Sequence, residues 1–248
     1  SIAFSGMHIL FSYVFVYLLW RDLGRQPGGG LLSIRFLKTA LVFMVLSTLA
    51  IWAMPVFVAT GRQGSLWYYL AVQFFLHFQF NGWFLFAAFG LWLFGVESQV
   101  ASLPRPTLRR FYWIFVVASV LTYALAVAWG NPRPEVFAVN GAGVLLQLAA
   151  LLFLLAALRR LPVRQLLSPL SFWEKNLLRL AFASFVAKVV MQSVVVLPFV
   201  AEAAYTIRNY VIGFIHLILL GTLTFFLLQQ AGRRSLLNSR GGLVRAGF

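Results

Sequence analysis

Hydrophobic and polar positions in this 248-residue chain fall in blocks rather than alternating residue by residue. Apolar stretches lie near residues 2–20, 36–59, 66–95, 111–130, 136–158, 174–200 and 206–230. Each matches the twenty or so residues a helix needs to cross a hydrocarbon core roughly 30 Å thick. Strand-like alternation is missing, so helices rather than a barrel satisfy the backbone in lipid. Short turn-rich links such as TGRQGS, LPRPTLRR and GNPRPE separate the stretches, and none is long enough to form a second domain. The pattern predicts an all-α fold, a polytopic transmembrane helical bundle of about seven spans. A single transmembrane domain covers 1–232, and a basic tail follows over 233–248.

Composition agrees. The chain is 62% hydrophobic and 10% charged, with a mean hydropathy of +0.89, more apolar surface than a soluble domain of this size hides. A net charge of +15 raises the question of nucleic acid, but the cations sit between spans, where they set topology. The expected partner is the lipid bilayer, not nucleic acid. Of the 20 lysines and arginines, only Arg62, Arg133 and Arg208 fall in the second, fourth and sixth links. Nearly all the others crowd the odd-numbered links and the tail, so the positive-inside rule puts Ser1 outside and Phe248 in the cytoplasm. The first residues already read as helix, with no basic n-region of a signal peptide, and an upstream segment such as a further span is expected before Ser1.

Residues 74–86, FFLHFQFNGWFLF, set polar groups in the middle of an aromatic span. Gln73, His77 and Asn81 recur at i, i+4 and i+8 and form one stripe. Ser184, Lys188 and Gln192 form a second, His216 and Thr224 share a face below Asn209, and Ser5, His8 and Ser12 share another. His77 lies about 18 Å past Ser65, His216 about 12 Å past Arg208, and Lys188 about 21 Å from Glu202, at 1.5 Å per residue. Polar side chains in hydrocarbon join helices by hydrogen bonds or point into the bundle or a wet cavity. Convergence at similar depth predicts one internal site shared by His77, His216 and Lys188. His8, whose depth the visible chain does not set, reads first as a helix contact. The absence of cysteine excludes disulfides, thiolate metal sites, iron–sulfur clusters and covalently attached haem, leaving three histidines as the main candidate metal ligands.

His77 is followed five residues later by Gly82 and Trp83, and His216 five residues later by Gly221. This pattern resembles histidine-bearing helices of the haem–copper oxidase superfamily, especially its short bacterial relatives. The resemblance covers the first, third and seventh helices. It implies an integral membrane redox protein of the bacterial inner membrane, with His77 and His216 as ligands of haem b or copper and His8 as a third. Gln73 and Asn81 would fix a ligand ring, and Lys188, with Gln192 beside it, would face a haem propionate, a quinone or an anion. Subunits of a respiratory complex would be its partners. The chain has far fewer spans and histidines than a catalytic subunit of that superfamily, so a complete dinuclear oxygen-reducing centre is not expected.

Two other classes stay open. Lys188, His77, His216 and Gln192 suit a membrane transporter or a proton or ion pathway. Against carboxylate-coupled transport, Glu97, Glu135, Glu174 and Glu202 all sit at span ends. A non-catalytic accessory subunit of a larger respiratory complex would use the same stripes as helix contacts. The loop GRQPGGG lacks the Gly-Lys-Ser/Thr ending that cradles phosphate.

Overall fold

A computed structural model describes residues 2–26, 31–100, 103–234 and 236. The chain is a bundle of seven long helices, with no strand among the described residues. They are α1 Ile2–Arg25, α2 Leu32–Ala59, α3 Leu66–Glu97, α4 Arg105–Ala128, α5 Pro134–Arg160, α6 Phe172–Val196 and α7 Asn209–Arg233. Helices α2 to α7 are each long and apolar enough to cross a membrane. The first expected span also forms as a helix, α1, but is not among those six. Its apolar run ends before Arg21, Asp22 and Arg25. Most of the expected basic tail, 235 and 237–248, lies outside the described residues, as does Ser1.

Helix boundaries follow local chemistry. The Glu97 carboxylate, at the end of α3, accepts from Leu32 N at 2.9 Å, from Ser33 N at 3.3 Å and from the Ser33 hydroxyl. It thereby satisfies the free N–H groups that begin α2. Ser171 and Glu174 close a capping box that starts α6. The sixth expected span stops short of residue 200, because Leu197 turns extended ahead of Pro198. A separate short helix, Pro198–Thr206, then fills the link to α7.

The centre is aromatic. Phe36 of α2, Phe86 and Phe89 of α3, Phe111 and Phe115 of α4 and Phe185 of α6 meet in one cluster. Phe86 stacks on Phe115 at 4.8 Å, and Phe89 meets Phe185 edge-on at 5.0 Å. Such pairs add about 0.5–1.5 kcal/mol each beyond the area they bury. Outside this core, α1 leans on α2, where Trp52 Nε1 donates to Tyr13 Oη at 2.9 Å and Tyr13 Oη meets Thr48 Oγ1 at 3.0 Å. The outward faces expose large apolar side chains, including Leu10, Phe11, Val42, Leu49, Val56, Leu145 and Leu152, as contact with a bilayer requires.

Two helices depart from regular geometry, and both do so directly after a histidine. Phe78–Phe84 of α3 and Leu217–Thr224 of α7 are π-helical. Each contains the glycine of the repeated motif. A Cβ on Gly82 would lie 2.7 Å from Phe43 Cγ, and one on Gly221 would lie 2.6 Å from Ser184 Cβ and Oγ. The motif therefore has a packing meaning in both places: a widened turn whose glycine admits the neighbouring helix. Gly82→Ala and Gly221→Ala should each destabilise the protein by about 1–3 kcal/mol through overpacking. Gly213→Ala, on α7 but facing open space, should leave thermal unfolding in detergent unchanged or slightly raised.

Candidate functional site

The polar site begins with a fault in α4. Thr122 N and Thr122 Oγ1 both donate to Ala118 O, at 3.0 and 2.8 Å, and Tyr123 N turns back to Val120 O at 3.2 Å. Ser119 O thus loses its usual helical donor, and the Thr122 hydroxyl approaches it only at 3.5 Å. In hydrocarbon a freed carbonyl must be satisfied from elsewhere. His77 Nε2 of α3 supplies the donor at 2.8 Å. On its other side the fault is gripped by α5, where a Cβ on Gly143 would fall 2.8 Å from Leu121 Cβ and 2.9 Å from Thr122 N.

That bond fixes the imidazole. With Nε2–H donating to a carbonyl, Nδ1 carries the lone pair, and Asn81 Nδ2 faces it at 3.5 Å. The ring lies against Phe78 and Tyr123, with centroids at 5.1 and 5.6 Å. Tyr123 Oη in turn donates to Leu70 O at 3.0 Å and ties the second half of α4 to α3.

His77 lines a cavity of about 190 Å³ between α3, α4, α6 and α7. Gln73 and Asn81 line it with His77, so the predicted α3 stripe faces one interior space. From α6 comes Gln192, from α4 Thr122, and from α7 Tyr210 and Phe214; Ala204 of the short helix closes one side. Tyr210 Oη donates to Met191 O at 2.6 Å, holding α7 to the end of α6.

Lys188 lies one turn from Gln192 on α6 and is 0% exposed. Its Nζ has no hydrogen-bond partner and stands 5.4 Å from the ring centre of Phe214, a wall residue of the cavity. Asn81 Oδ1, Ser119 Oγ and Gln192 Oε1 are also buried without partners. No carboxylate answers the cation. The chain has five acidic residues, Asp22, Glu97, Glu135, Glu174 and Glu202, and all lie at or near helix ends or in a link. Ser184, the third member of the α6 stripe, packs instead against Gly221.

The expected partnership of His77 with His216 is corrected by the geometry. His216 is exposed, on a face of α7 shared with exposed Ile212, Leu220, Thr224 and Leu227. The cause is local: α7 turns Gly221 toward Ser184 of α6, which leaves the His216–Thr224 stripe on the outside. His8 is likewise exposed on α1, and its carbonyl accepts from the Ser12 hydroxyl at 2.9 Å; the Ser5 side chain lies outside the described residues. Among the described residues, no three histidine or acidic side chains converge as a metal-ligand group. A haem clamped between two histidines of this chain does not fit: one imidazole faces inward, and the cavity is smaller than the ~300–1,000 Å³ typical of cofactor and ligand pockets.

Some participants were not singled out in the sequence. Buried Gln79 donates to Ser47 Oγ at 2.9 Å, and buried Asn140 donates to Val195 O at 3.1 Å. Both are lone amides within apolar stretches, with no polar side chain three or four residues away, so the stripe pattern that found Asn81 does not reach them. The Ser119 carbonyl carries no sequence signal at all. No family model matches the chain, and no curated protein or solved structure matches it. Fold and site together define a multi-pass helical membrane protein with a polar cavity buried beside an unpaired lysine. Replacing His77 by alanine orphans Ser119 O and should cost about 1–3 kcal/mol in thermal unfolding. His8→Ala and His216→Ala should stay within about 0.5 kcal/mol of the parent protein.

Proposed function

We propose that this protein binds and passes a small anion through the membrane, with Lys188 as the charge that receives it. One observation carries the reading: a fully buried lysine amine without a hydrogen-bond partner, in a chain whose carboxylates all lie away from it. An unpaired charge in hydrocarbon is costly, and such residues mark ion and substrate routes. The counterion that this chain does not supply is then the solute. Asn81 and Thr122 offer further hydrogen-bonding groups on the cavity wall, and the Phe214 ring, also on that wall, stands 5.4 Å from Lys188 Nζ. Lys188 stands on α6 between Phe185, which lines a second cavity, and Gln192, which lines the first. That is a suitable post for a gate between the two halves of the bundle. On this reading the links rich in arginine face the cytoplasm, so the link 60–65 between α2 and α3 lies outside.

The test is flux. In proteoliposomes, the protein should carry chloride, nitrate or formate down a membrane potential, and Lys188→Met should reduce that flux at least about tenfold, the equivalent of 1.4 kcal/mol. The variant should remain folded, with stability neutral or raised by about 1–4 kcal/mol, because an unpaired buried charge has been replaced by an apolar chain. Flux that is indifferent to Lys188 would remove the proposal. Orientation is checked separately: the chain has no cysteine, so a cysteine at Gly64 should react with an impermeant thiol reagent from outside, and one at Ser98 only from inside.

A metal-binding redox role has one supporting observation. A histidine that donates one ring N–H to a backbone carbonyl is oriented as metal-ligating histidines commonly are, and His77 does so through Nε2, while its Nδ1 is met only by the long 3.5 Å contact from Asn81 Nδ2. Copper or haem found in stoichiometric amount, and lost in His77→Ala, would favour that reading over the anion pathway.

A further inference from the structure

A second cavity, larger than the one at His77, lies at the opposite end from the histidine site. It measures about 320 Å³ and is bounded by α3, α5, α6, α7 and the short helix Val163–Leu167. Its wall is apolar, with Trp92, Leu158 and Phe182 among the contributors, whereas Lys175, Arg179 and Arg233 stand on its border. Among the described residues none of these cations has an acidic partner, since the one ion pair joins Arg21 to Asp22. Glu174, their neighbour in sequence, accepts from Ser171 N at 2.7 Å through Oε2 in the cap of α6, and its Oε1 lies beside Gly232, 3.3 Å from where a Cβ there would stand. One turn inside Arg233, Gln229 lines the same space, is 2% exposed, and leaves its Oε1 without a donor.

These features do not describe a site for a small solute. An apolar volume suits a hydrocarbon chain, three cations without a carboxylate partner suit a phosphate (Arg179 Nη1 donates only to Asn176 Oδ1, at 3.3 Å), and a buried acceptor just below them suits a headgroup hydroxyl. We propose that this cavity is a binding site for an anionic phospholipid whose headgroup carries free hydroxyls. One acyl chain lies along Trp92, Leu158 and Phe182, the phosphate sits among Lys175, Arg179 and Arg233, and a headgroup hydroxyl donates to Gln229 Oε1. The position agrees with the source of the ligand. Lys175 and Arg233 belong to the ends of α6 and α7, where the phosphate plane of a leaflet would run, and Arg179 follows one turn inside Lys175. The proposal is independent of what the Lys188 cavity carries.

Native mass spectrometry of the full chain in detergent tests it, with phosphatidylglycerol, phosphatidylcholine of the same acyl chains, and palmitate as probes. Phosphatidylglycerol should bind one to one and in clear preference to phosphatidylcholine. The double variant Arg179→Gln, Arg233→Gln alters two exposed side chains and should weaken that binding about 30-fold, at about 1 kcal/mol per basic residue. Arg105→Gln with Arg109→Gln, exposed at the same end but outside the cavity, should leave it unchanged. Gln229→Leu should weaken phosphatidylglycerol while sparing any residual phosphatidylcholine. Equal retention of the two phospholipids, undiminished binding in the Arg179/Arg233 double variant, or uptake of palmitate in place of phospholipid would each overturn the proposal.

Discussion

A transmembrane helix cannot break without finding another donor for the carbonyl it frees, and α4 breaks at Thr122. The bond from His77 Nε2 to Ser119 O at 2.8 Å is the answer, and much of the site's geometry follows from it. It sets the tautomer of His77, aims Nδ1 toward Asn81, and holds α3 at the distance that leaves room for the cavity. Gly143 lets α5 press on the break from behind, so the fault is braced on both sides. A histidine that resembles a cofactor ligand in sequence thus has a structural duty first.

The π-helical turns complete that arrangement. Each widens its helix just past a histidine and brings a glycine against a neighbouring helix, Gly82 against Phe43 and Gly221 against Ser184. The same local device gives opposite results for the two imidazoles. In α3 the histidine side faces α4 and the cavity, whereas in α7 the glycine side faces α6 and His216 is left outside. Identical motifs therefore need not share a site.

Much of the fold was legible because bilayer thickness forces apolar runs of fixed length, and the boundaries missed were those set by caps and by Pro198. Within the site, the stripe Gln73, His77, Asn81 was legible, since three polar residues at helical spacing in hydrocarbon must face something polar. Gln192 and the burial of Lys188 followed from the same rule on α6. What periodicity does not contain is direction: it showed that His216 and Thr224 share a face, but only the packing of Gly221 decides that the face points out. Nor does sequence disclose a freed backbone carbonyl, because Ser119 contributes its main chain.

The central difficulty of the structure is electrostatic. The interior holds a lysine amine and several oxygens without hydrogen-bond partners, while the acids that would normally balance a buried lysine remain at helix ends or in links. The reading that resolves this is an exogenous anion at Lys188. The most direct measurement is anomalous diffraction from crystals grown with bromide in place of chloride. The account predicts a bromide peak within hydrogen-bonding reach of Lys188 Nζ, on the side of Asn81 and Gln192. A lysine bonded to protein groups alone, with no anion beside it at saturating bromide, would contradict it.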